Sequence, residues 1–141
     1  MNRRAILTLL VLGGCARKPE PAPAPPPPPV TRLVLGGDVM LSRHVGRLAR
    51  RQKDPAAPFR AIAPFLSAAH IAFVNLESPF SDRGKPVERG MIFKAEPSTV
   101  EGLVLAGIDV VSTANNHARD QGGYGLEYTV GWLKRHGIQA V

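Results

Sequence analysis

Short apolar runs recur along the chain, and three of them stop at polar clusters. Leu33-Val34-Leu35 runs into Gly36-Gly37-Asp38, and Ile71-Ala72-Phe73-Val74 runs into Asn75-Leu76-Glu77. Ile108-Asp109-Val110-Val111 runs into Ser112-Thr113-Ala114-Asn115-Asn116-His117-Ala118-Arg119-Asp120. Runs of this length and β-branched content predict buried strands, here over 33–36, 71–75, 109–113 and, at the end of the chain, 138–141. Between them the apolar spacing turns helical. A helix is expected over 41–53, with Val45, Leu48 and Ala49 as its inward stripe, and a second over 59–69, with Phe59, Ile62, Ala63 and Leu66 inward and Pro64 bending or dividing it. Ser98-Thr99-Val100-Glu101 has capping-box spacing and opens a third, with Val100, Leu103 and Val104 inward and Gly107 at a left-handed C-cap. A fourth covers 126–136, with Leu126, Val130 and Leu133 inward and Gly137 closing it. Residues 79–90, punctuated by Gly84, Pro86 and Gly90, read as a loop, and 91–95 as a short extended segment.

This alternation predicts an α/β fold, a mostly parallel sheet covered by helices on both faces. A small parallel sheet that stops on the first residues of a strand reads as the N-terminal part of a larger domain. Its unpaired edge predicts that the chain alone is unstable or aggregates.

Residues 1–15 have a signal-peptide layout: Asn2-Arg3-Arg4, an apolar core from Ala5 to Leu12, then Gly13-Gly14. That core is too short for a permanent membrane span. The next residue, Cys15, is the sole cysteine, so no internal disulfide is available. Leu12-Gly13-Gly14-Cys15 resembles the lipobox of bacterial lipoproteins, which implies cleavage before Cys15, its lipidation, and an exported protein anchored to a bacterial membrane. Residues 16–30 are rich in Pro and Ala and end in the run Pro25 to Pro29, an extended spacer without donors for a sheet. The folded domain is therefore expected over 31–141.

The net charge of +7 raises nucleic acid as a partner. Arg3 and Arg4 belong to the leader, however, and the cluster Arg47, Arg50, Arg51 and Lys53 has no interleaved aromatics, so it reads as a solvated helix face and no nucleic-acid partner is expected. The alternative is attraction to an anionic substrate or surface.

Open α/β sheets keep their sites at the carboxyl ends of strands. Asp38 and Glu77 are hard oxygen donors, Asn116 offers a carbonyl oxygen and His117 an imidazole. Converging, they suit a divalent metal of the Mn, Fe or Zn class, and hydrolysis as the reaction, with His117 protonating a leaving group if it is not itself a ligand. Each residue has a plainer alternative. Asp38 also suits a turn or helix cap, Glu77 a surface ion pair, Asn115-Asn116 a turn, and His117 a hydrogen bond at a helix start. Arg43, His44 and Asp120 are weaker candidates for the site.

Three segments, Gly36-Gly37-Asp38-Val39-Met40-Leu41, Asn75-Leu76-Glu77-Ser78-Pro79 and Ala106 through Gly122, with Gly125-Leu126, Thr129 and Leu133 after them, resemble the CapA family of bacterial capsule synthesis, which includes the PgsA proteins of poly-γ-glutamate production. The resemblance implies a branch of the calcineurin-type metallophosphoesterase fold, a layered α/β sandwich of which this chain is the N-terminal part. It further implies Asp38, Glu77 and Asn116 as metal ligands and His117 as the catalytic residue assisting the leaving group. Two features depart from that pattern: Met40 stands where the classical motif has a histidine, and the histidine-rich motifs of the C-terminal half do not occur in these residues. The function so implied is synthesis, export or anchoring of an anionic capsule polymer of poly-γ-glutamate type. Its partners are that polymer or its precursor, other capsule assembly proteins, and the membrane through the lipid anchor. The alternatives are a non-catalytic scaffold or polymer-binding subunit, and a general phosphoesterase.

Overall fold

Two adjacent glycines shape the first strand. In the computed structural model, which describes residues 27–83, 86, 88 and 90–141, strand β1 spans Leu33–Val39 and passes straight through Gly36-Gly37, where the pattern predicted an end at residue 36. It pairs in parallel with β2, Ile71–Leu76, with Leu35 opposite Phe73 and Asp38 opposite Asn75, so β1 holds one residue more than β2 over that interval. This is a β-bulge, and glycine is required there: a Cβ on Gly36 would stand 2.9 Å from Val74 Cγ1. The leader with Cys15, and the spacer up to residue 26, lie outside the described residues, as do positions 84, 85, 87 and 89 of the expected loop.

Strands β3, Val110–Ser112, and β4, Gln139–Ala140, complete a four-stranded parallel sheet of order β1-β2-β3-β4. Helix α1 spans Arg43–Gln52 and helix α2 Ala63–Leu66, while α3 spans Val100–Leu105 and α4 Gly122–Arg135. The expected α/β fold is present, and it fits part of a metallophosphatase-like layered domain. One expectation is not met among the described residues: their helices cover one face of the sheet. Ala63 and Leu66 of α2, Val100 and Leu103 of α3 and Leu133 of α4 join one apolar cluster with Ala72, Val74 and Val111. In a sequential parallel order, crossovers of one hand put every connecting helix on the same side. Along β2 the alternation is plain, with Ala72, Val74 and Leu76 buried and Ile71 exposed, while Leu33 and Leu35 stand exposed on β1.

Several helices differ from their predicted limits. The 59–69 patch divides into a 3-10 turn, Ala57–Phe59, and α2, whose first turn accommodates Pro64; Ile62 is exposed between them. The capping box does not form: residues Pro97–Thr99 make a 3-10 turn, the Thr99 hydroxyl donates to Glu96 O at 2.7 Å, and α3 begins only at Val100. Gly107 does take the left-handed conformation, at φ 65°. Helix α4 starts four residues before the predicted 126, and its buried line is Gly125, Thr129 and Leu133, whereas Val130 is exposed. Leu48 and Val104 are likewise exposed rather than inward. The Thr129 hydroxyl explains a polar residue on that line: it accepts the Phe80 N–H at 2.9 Å and donates to Gly125 O at 2.7 Å. No helix among the described residues is long and apolar enough to cross a membrane.

Candidate functional site at the strand ends

The bulge decides what Asp38 meets. Strict alternation would place residue 38 on the side of Val34, facing the core; the extra residue turns it to the side of Phe73 and Asn75. There Asn75 Nδ2 donates to Asp38 Oδ1 at 2.7 Å. Asn115, three residues beyond the end of β3, extends the chain of bonds, its Nδ2 donating to Asn75 Oδ1 and to Leu76 O, both at 3.0 Å. Its Oδ1 accepts the His117 N–H at 2.9 Å in an Asx turn, which fixes the backbone entering the histidine. Three strand ends are thus tied together by two asparagines.

His117 is held from both sides of its ring. Asp120, only 6% exposed, places Oδ2 2.7 Å from His117 Nδ1, and the same oxygen accepts the Phe93 N–H at 2.6 Å. A carboxylate facing an amide N–H and an imidazole keeps the proton on Nδ1, so Nε2 is the reactive edge. That edge faces Glu77, with Oε1 4.0 Å away. The Phe93 ring stacks on the imidazole with centroids 4.1 Å apart, and Gln121 Nε2 donates to Phe93 O at 2.8 Å. The segment around Phe93, expected only as a short extended piece, is therefore the second wall of the histidine's site.

Of the residues singled out from the sequence, the structure brings Glu77 and His117 together and ties Asp38 to the same cluster through Asn75 and Asn115. Asn116 is exposed, and Asn115 rather than Asn116 carries the bonds that join the cluster. Arg43 and His44 lie exposed on the first turn of α1. Asp120, a weak candidate from sequence, is the best-connected carboxylate of the cluster. Asn75, Phe93 and Gln121 were missed. Only Asp120 carried a local signal, its spacing of three residues from His117.

As a metal centre the set is partial. Among the described residues no group of three or more His, Cys, Asp or Glu side chains is gathered to hold an ion. One Asp38 oxygen is already engaged by the Asn75 amide. The residues present do not by themselves fit a metal shell, and what the arrangement does chemically is position one imidazole nitrogen next to a carboxylate at an open strand end.

The chain is a parallel α/β protein whose sheet carries at its carboxyl edge an Asp38 tied through Asn75 and Asn115 to His117, with Glu77 facing the imidazole. Its family is bacterial capsule synthesis protein PGA_cap, whose model matches residues 32–141. The chain is similar to capsule biosynthesis protein CapA of Bacillus anthracis, 27% identical over 113 residues that make up 77% of this chain and 27% of that protein. It is also similar to PGA biosynthesis protein CapA of Bacillus subtilis (strain 168), 26% identical over 107 residues, 74% of this chain and 28% of that protein. The chain thus spans little more than a quarter of the length of these relatives.

Proposed function

We propose that the chain works at the bacterial cell envelope in making, exporting or anchoring an anionic capsule polymer of poly-γ-glutamate type, with the strand-end cluster as a hydrolytic site. Lipidation of Cys15 tethers it, and the Pro-rich spacer holds the domain off the membrane. Family membership supports the process. The observation that supports the chemistry is the Asp120-clamped His117, whose Nε2 edge faces Glu77. In this reading Asp120 fixes the imidazole's tautomer, Phe93 fixes its plane, and Nε2 takes a proton from the attacking water and passes it to the leaving group. Asp38, Glu77 and Asn116 would be this chain's contribution of oxygen donors to a divalent ion, which they could hold only together with further donors, and which would then supply an activated water.

The test is turnover of poly-γ-glutamate and of a phosphodiester panel by the full-length gene product, with its metal content measured alongside. His117→Ala is expected to lower turnover by about 10²–10⁴-fold. Loss of bound metal together with activity in Asp38→Ala assigns the donors. A metal-free parent that turns over nothing removes the hydrolytic reading. It leaves the second one, a non-catalytic scaffold or polymer-binding subunit, which is supported by the lack of a three-residue metal group among the described residues.

A further inference from the structure

Helix α4 carries a second feature, unrelated to the strand ends. Tyr124, Tyr128, Trp132 and His136 recur at every fourth residue, with successive ring centroids 5.9, 5.8 and 4.6 Å apart. At 1.5 Å of rise per residue the row is about 18 Å long. It runs beside the buried line of Gly125, Thr129 and Leu133 without being that line. Tyr124 is 37% exposed and the other three rings keep part of their surface in solvent, whereas Leu133 has none. Tyr128 and Trp132 pack one side against the apolar cluster and, unlike Leu133, keep the rest of their surface outward.

The rings are fixed from behind. Trp132 Nε1 donates to Pro97 O at 2.8 Å, His136 Nδ1 lies 2.8 Å from Trp132 O, and the Tyr124 hydroxyl donates to Asp82 Oδ1 at 2.8 Å. Two guanidinium groups lie over the row: Arg83 is 4.9 Å from the Tyr124 ring centre and Arg135 is 4.9 Å from that of Trp132. Among the described residues Asp82 is the one carboxylate bonded to the row, and Arg83 adjoins it. Flat faces held rigid in advance lose little entropy on binding, and the arginines at two heights select against neutral ligands.

We propose that this α4 row is a docking track for a linear anionic polyamide, whose carboxylates pair with Arg83 and Arg135 where these lie over Tyr124 and Trp132, and whose planar amide groups run along the solvent-facing part of the row between them. The proposal rests on the capsule-polymer part of the functional reading and not on hydrolysis. Charge complementarity commits the track to this occupant over a neutral polysaccharide, which the rings alone would also suit. Helix α4 begins two residues after Asp120, so a polymer lying along it reaches the end of the sheet that holds His117.

Trp132 is the only tryptophan in the chain, so its fluorescence reports on the track directly. The experiment titrates the full chain with poly-γ-glutamate of defined length and, separately, with dextran, at two salt concentrations. Poly-γ-glutamate is expected to change Trp132 emission with an affinity that falls as salt rises, and dextran to leave it unchanged. Arg83→Gln and Arg135→Gln are each expected to weaken binding by about fivefold, and Tyr124→Ala by a similar factor. These are surface substitutions, and circular dichroism of each variant confirms that α4 remains. Dextran binding as tight as that of poly-γ-glutamate overturns the proposal. Poly-γ-glutamate binding that ignores all three substitutions but is lost in Asp38→Ala also overturns it, while leaving the capsule reading standing. Failure to bind poly-γ-glutamate anywhere overturns both.

Discussion

Leu35 and Val74 belong to neighbouring paired strands, yet Leu35 is 69% exposed and Val74 4%. They mark the two faces of one sheet. On Val74's side, residues from α2, α3 and α4 close over the strands in a single apolar cluster, and the buried hydroxyl of Thr129 bonds Phe80 into it. On Leu35's side, Leu33 and Ile71 are exposed as well, with Phe73 and Val110 half-buried beside them. The difference teaches that sequential parallel order, not hydrophobicity, sets which face the described helices cover, since both faces carry apolar side chains. Asp38 reaches the open side only because the Gly36-Gly37 bulge carries it across.

The comparison is broken most strongly from the covered side. Phe80 is fully buried, so Phe80→Ala is expected to cost about 3–5 kcal/mol in chemical denaturation of the chain. A loss no larger than that of an open-face substitution would mean that the helices do not pack as described. Next comes the crossing point. Gly36→Ala forces a Cβ against Val74 and is expected to cost about 1–3 kcal/mol, and in the Val74→Ala background most of that cost should disappear. Equal costs in both backgrounds would remove the close approach as the reason for glycine.

On the open face, Leu35→Thr is expected to change unfolding free energy by less than about 0.5 kcal/mol. It should nevertheless reduce self-association measured by sedimentation, because it interrupts an exposed apolar patch. The smallest effect is electrostatic. Arg60 hydrogen-bonds the Asp54 carboxylate and holds it below its usual range. A carboxylate depressed in the folded state contributes stability above its unfolded pKa, about 3.9, and loses it as the pH falls through the lower folded value. Parent and Arg60→Gln should therefore differ slightly in melting temperature at neutral pH and converge in acid; a difference that persists in acid would mean the arginine acts through packing.

Much of this was legible in the residues. The apolar runs at Leu33, Ile71 and Val110 are strands, the alternation is α/β, and the motif segments carry the family. Glu77 and His117, chosen as residues at strand ends, do face each other. The helix stripes were read less well. Leu48, Ile62, Val104 and Val130 have the right spacing and are exposed, because period alone leaves the stripe's rotation open by a residue or so, and glycine and threonine on α4 were not counted as core. Asn115 against Asn116 was equally undecided, since adjacent identical side chains differ only in where the backbone turns.

By itself the sequence determined the strands, the polar clusters that end them, the class of fold and the family. Those follow from periodicity and from local order, which are properties of neighbouring residues. Only the tertiary structure decided which face of the sheet the described helices cover, that Asp38 joins Asn75 through a bulge, and that Asp120 and Phe93 grip His117. It also placed two arginines over the rings of α4. These depend on which distant segments meet, as when the Phe93 amide finds a carboxylate 27 residues away, and no local pattern encodes that partner.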